Sequence, residues 1–200
     1  MKKGVLVRGM GINDAVNLTA VMGKNTKEYS LWADMLLRCT ESYWEKKPTY
    51  IGTTCSENFK SYSFFYNWCQ EQIGFGNRDE KGKLWHLDKD LLVKDNKHYS
   101  EDTCCFVPCL LNNITLSRGK DRGKYAVGVH WDKEKSKFVA SCRNGNRSSF
   151  IGRFNTEKEA FISYKNFKER YVKKVAEDYK DRIDPRTYRV LMTYQVEVTD

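Results

Sequence analysis

The stretch that most restricts the possible folds is residues 125–180, where the spacing of apolar side chains changes character within a few residues. Three short runs, Tyr125–Trp131, Lys137–Arg143 and Ser148–Phe154, alternate as half-buried strands do. A turn at Asp132–Ser136 joins the first pair, and Asn144-Gly145-Asn146 joins the second with a strong hairpin signal. Then Thr156-x-x-Glu159 has the form of a capping box. Behind it Ala160, Tyr164, Phe167, Tyr171, Val175 and Tyr179 recur at spacings of four and three, one apolar stripe along a long helix. Three antiparallel strands with a helix lying across them make a complete small module.

Alternation also sorts the strand side chains between two faces. Phe138, Ala140 and Cys142 are expected to face the helix with Val127 and Val129, while Lys137, Val139, Ser141, Arg143 and His130 face away. Arg147, near the second turn, and Phe150 or Arg153, in the third strand, extend the open face. Such a face suits a DNA major groove, since Arg pairs with guanine edges and Lys or Ser holds phosphate. Charge points the same way. The chain carries +9, with 17 Lys/Arg against 8 Asp/Glu between Ser117 and Lys180, and 15 against 14 between Met1 and Leu116. A basic excess confined to one segment is the electrostatic footprint of a nucleic-acid binder. The plainer alternative is a solvated basic face with no specific partner.

Upstream, residues 1–28 are glycine-punctuated and read as an extended arm or loop. A helix is expected after Ser30 as N-cap, and Pro48 to Gly52 breaks it. Phe59, Phe64, Trp68 and Gln72 suggest a second helix ending at Gly74 or Gly76, its aromatics in the core. Leu84 to Asp88 reads as a strand, a polar loop runs through Lys94–Lys97, Thr103 to Val107 reads as a second strand, and Leu110 to Asn113 begins a helical element. That order is the outline of a ββα unit. The charged segment Gly119–Lys124 reads as a linker, dividing an α+β chain into domains at 1–116 and 117–200, the second ending in a C-terminal tail. No run of about 18 apolar residues occurs, so no membrane span is expected. The seven cysteines lack a tight Cys-x-x-Cys pair and read as free thiols of a cytoplasmic protein.

The run "GVHWDKEKSKFVASCRNGNRSSFIGRFNTEKEAFISY" resembles the plant ethylene-response-factor (APETALA-type) DNA-binding domain, which also occurs in phage and mobile-element nucleases. The resemblance covers about residues 124–175 and implies base-reading positions at His130, Ser141, Arg143, Ser148 and Phe150. Several family arginines are absent there, so the plant target sequence does not carry over.

The run "LDKDLLVKDNKHYSEDTCCFVPCLLNN" resembles the HNH ββα-metal motif of phage homing endonucleases. With "YSLWADMLLRCTESY" and "PTYIGTTCSENF", it looks like a phage family that joins such a module to the DNA-binding domain above. In that family an acidic metal ligand is followed at once by the His that deprotonates water. Here Asp88 is followed by Lys89. The central loop-orienting Asn aligns near Asp102 or Thr103, and the last ligand with Asn112 or Asn113. The resemblance therefore implies Asp88 and Asn112 or Asn113 as ligands of Mg2+ or another divalent ion. It leaves Lys89 to grip a phosphate, and His86 or His98 as substitute bases. The resulting expectation is a binder of double-stranded DNA whose cleavage is weak or lost. An active HNH endonuclease or nickase, and an inhibitor that binds an acidic protein partner, are the alternatives.

Overall fold

The computed structural model describes residues 6–116, 123–144 and 147–198. The Cα framework divides into two units, Met1–Val107 and Pro108–Asp200. The fold is α+β. The expected turn residues Gly145 and Asn146, and most of the expected linker at 119–124, lie outside the described residues.

The first unit opens with a two-stranded hairpin, β1 (Ala20–Val21) and β2 (Lys24–Asn25), where an extended arm or loop was expected. Met22 and Gly23 at its tip both have positive φ, the requirement of the tightest hairpin turn. Helix α1 (Lys27–Arg38) begins earlier than Ser30, because the Thr26 side chain accepts the Tyr29 N–H and caps the first turn. Next come α2 (Glu41–Lys46), a single turn at Pro48–Tyr50, β3 (Thr54–Cys55) and a second such turn at Asn58–Lys60. Helix α3 (Tyr62–Glu71) is capped by Ser61. Strands β4 (His86–Asp88) and β6 (Cys105–Val107) pair antiparallel, with Leu87 opposite Phe106. Between them in sequence, β5 (His98–Tyr99) pairs in parallel with β3, placing His98 on a strand rather than in a loop. The core is mostly aromatic, with Trp32, Phe59, Tyr62, Phe65 and Phe106 closed off from solvent. The Trp32 indole donates to the Phe59 carbonyl at 2.8 Å, so its one polar group is satisfied.

Helix α4 (Cys109–Thr115) belongs to the second unit and packs on α5 (Glu157–Asp178). Strands β7 (Val129–Asp132), β8 (Lys137–Asn144) and β9 (Arg147–Phe154) form one antiparallel sheet in that order. Strand β7 starts at Val129, not Tyr125, because Gly128 leaves the extended region at φ 75°. A Cβ on Gly128 would lie 2.1 Å from the Tyr164 ring, so only glycine lets α5 come this close. The sheet and α5 bury Ala140, Cys142, Ala160 and Tyr164 together. Thr156 and Glu159 make both bonds of the capping box. Farther along α5 the buried positions are Val172, Val175 and Ala176, whereas Tyr171 and Tyr179 are only half-buried. The expected C-terminal tail is folded. It contains α6 (Pro185–Met192), buries Ile183 and Leu191, and inserts Val196 into the core of the sheet and α5. Among the described residues, no helix is long and apolar enough to cross a membrane.

Candidate nucleic-acid interface

Cross-strand neighbours in a sheet share a face. The register therefore sets His130, Val139 and Arg153 in one row of the face away from α5, Ser141 and Phe150 in a second, and Arg143 and Ser148 in a third. Simple alternation would allow only one of Phe150 and Arg153 on that face, since they lie three positions apart. The register shifts between Ala140 and Ser141, where Gly152 and Phe150 are consecutive partners and Ile151 is the extra residue. This bulge re-phases β9. Ile151 joins the hydrophobic core, and Phe150 and Arg153 both point outward.

The two outward side chains then meet. The Arg153 guanidinium lies 5.1 Å from the centroid of the Phe150 ring, and its Nε is 3.3 Å from Asp132 Oδ2. Asp132 also accepts the Glu134 and Lys135 N–H groups, and the Lys135 N–H above all holds its carboxyl below the usual carboxylate range. Arg153 is thus fixed between a ring and a carboxylate while about half of its side chain stays exposed. Phe150 is 59% exposed, so much of its ring stays open to solvent beside the guanidinium. His130, Arg143 and Ser148 are exposed, and Ser141 is half-buried. Lys137 donates to Asn155 at the strand end. Val139, though on this face, is only 5% exposed and forms its floor. Arg147 is exposed but opposite Asn144, so alternation puts it on the side of Cys142 and Ser149, away from the other expected positions.

The expected nuclease residues are arranged differently. Asp88 ends β4, is 8% exposed, and its Oδ1 accepts the N–H groups of Asp90 and Leu91 at 3.0 and 2.7 Å. Burial, then the neighbouring Asp90 carboxylate, pushes its pKa up to about 6. Lys89 turns from Asp88 to Asp90, 3.2 Å from its carboxylate. His98 Nδ1 shares a hydrogen bond with Thr54 Oγ1 at 2.8 Å, and His86 is exposed. On α4, in the second unit, Asn112 is half-buried and Asn113 donates to Cys109 Sγ.

Two residues here were missed from sequence. Asn96 clamps the loop, donating to the Lys89 and His98 carbonyls at 2.6 and 2.7 Å and accepting the His98 N–H. The family's central Asn was expected to align near Asp102 or Thr103; Thr103 does support the same loop through the His98 carbonyl at 2.7 Å. Arg38 is the other, reaching Tyr99 from the end of α1. In the first unit the donors fit a divalent ion poorly. One oxygen of Asp88 is committed to backbone, and Asp90 is committed to Lys89. Among the described residues no group of three or more His, Cys, Asp and Glu gathers for a metal.

Comparison with family models, with curated proteins and with solved structures finds no match to this chain.

Proposed function

We propose that this protein binds duplex DNA through the open face of β7–β9, and that phosphodiester cleavage at the Asp88 loop is weak or lost. The observation that carries the reading is the bulge in β9, which sets an exposed phenylalanine and a braced arginine beside Arg143 and Ser148. A side chain fixed before binding loses less entropy on contact, and a planar guanidinium matches base edges and phosphates. The segment that contains this sheet also carries the basic excess of the chain. On this reading the sheet and α5 form a domain of the ethylene-response-factor type, and the Asp88 loop is a degenerate HNH element.

Binding is tested with the full chain and a labelled duplex by fluorescence anisotropy. Arg143→Ala is expected to weaken binding by about 1–3 kcal/mol if Arg143 reads a base. No measurable binding of the wild-type chain at about 50 mM salt would sink the reading.

The case for silent catalysis starts from Lys89, which stands where the resemblance calls for a general base and is paired with Asp90. Loss of a positioned base typically removes about 10²–10⁴-fold in rate. Plasmid incubated with Mg2+ or Mn2+ should stay uncut by the wild type and by Asp88→Ala. Efficient cutting by the wild type, abolished in Asp88→Ala, would establish an active nuclease instead. Cutting by Lys89→His alone would identify the lysine as what silences the site.

A further inference from the structure

Arg38 and Lys89 come from distant parts of the sequence to one pair of tyrosines. The Arg38 guanidinium donates to the Tyr99 hydroxyl at 3.2 Å and lies 5.9 Å from the Tyr50 ring centroid. Lys89 Nζ lies 5.8 Å from the centroids of both Tyr50 and Tyr99. Ring faces favour cations but do not neutralise them. Burial pushes the Tyr99 phenol above its ordinary range, so it supplies no negative charge either. Among the described residues Arg38 has no carboxylate partner, and Lys89 has only Asp90, whose side chain is 41% exposed. The nearby Asp88 is directed to its own loop's N–H groups. The tyrosines around it outweigh burial and keep Arg38 charged, so a half-buried cation with no anionic side chain beside it is left for an anion to meet.

The framework around the two cations is fixed. Trp44 Nε1 donates to the Arg38 carbonyl at 2.9 Å, tying down the end of α1. Asn96 holds the Lys89 carbonyl. Lys97 donates to the Ile51 carbonyl at 2.7 Å, beside the turn that carries Tyr50.

We propose that Arg38 and Lys89, braced by Tyr50 and Tyr99, form an anion site in the first unit that grips a backbone phosphate of DNA. This rests on the DNA-binding reading above and adds a second, sequence-independent contact to it. A guanidinium with unused donors and an ammonium are the groups that hold a phosphodiester without reading its base. In this role Lys89 is a phosphate contact at a site that no longer cuts.

The test uses the full chain and a labelled duplex, with affinity measured across several salt concentrations. Lys89→Gln and Arg38→Gln should each reduce the slope of log K against log salt by about one, weakening binding to unrelated duplexes equally. Asp90→Asn, which releases Lys89, should tighten binding. Thermal melts identify any variant that fails to fold. Arg38 is packed, so Lys89→Gln and Asp90→Asn decide the matter if Arg38→Gln does not fold. An unchanged slope in folded Lys89→Gln overturns the proposal, and if Arg143→Ala still weakens binding, the sheet reading stands without it. Should the wild type not bind duplex at all, the sheet reading fails and the DNA assignment of this site fails with it. A 31P titration of wild type and Lys89→Gln with inorganic phosphate then identifies the source. Saturable broadening lost in the variant would mean a site for small free anions, and no broadening would mean no anion site.

Discussion

At the scale of single residues, Asp88 makes stability depend on pH in an unusual direction. Burial first, and then Asp90, raise its pKa to about 6, whereas an unfolded aspartate titrates near about 3.9. Below both values the carboxyl is protonated in either state, and its contribution to stability is fully present. Between them the folded chain keeps a proton that the unfolded chain has lost, so stability falls as pH rises and levels off above the folded value. Asp88→Asn retains an oxygen for the Asp90 and Leu91 N–H groups and has no proton to lose. Urea unfolding of the first unit should find the variant more stable than wild type at pH 7, by at most about 3 kcal/mol, with the curves converging near pH 4. A variant less stable at pH 7 would mean that the charged form makes a favourable contact. Asp88, Lys89 and His98 could be picked out in the sequence because a motif resemblance runs through them. Arg38 could not, since its partner Tyr99 is 61 residues away and nothing local marks the pair.

At the scale of elements, the bulge in β9 decides which side chains share the outer face of the sheet. Inserting one alanine between Ala140 and Ser141 would give Ile151 a partner, restore plain alternation and turn either Phe150 or Arg153 toward α5. The expected result is loss of duplex binding in a chain whose circular dichroism still reports helix and sheet. Retention of full affinity would remove the pairing of Phe150 with Arg153 from the binding face. Strand positions and the capping box could be read from sequence, because alternation and Thr156-x-x-Glu159 are local patterns. A one-residue register shift has no such pattern, and this is why Phe150 and Arg153 stood as alternatives. The short parallel pairing of β3 with β5 was hidden for a related reason, since it joins two-residue strands that lie far apart in the chain.

At the scale of the whole molecule, the residues that complete the second unit come from both of its ends. Removing residues 183–200 would take away Ile183, Leu191 and Val196, all nearly solvent-free, and open the core under the sheet. Large losses of buried aliphatic groups cost about 2–5 kcal/mol each. The truncated chain should therefore lose the melting transition of the second unit and, on the proposed reading, any duplex binding of the full chain; full binding after truncation would show that α6 is dispensable. No local pattern announces this, because residues 181–200 form a short stretch, polar on average, after a helix that already reads as complete. The seven cysteines add a practical consequence. None is in a disulfide; Cys55, Cys69, Cys104, Cys105 and Cys142 are buried, and Cys39 and Cys109 are partly so. Burial raises the thiols of Cys69, Cys104 and Cys142, holding them in the unreactive form while the fold is closed. Cys69 and Cys104 sit in the first unit and Cys142 in the second. The unaltered chain thus carries a chemical clock in each half: brief alkylation followed by peptide mass spectrometry would time the opening of either one, with no engineered probe.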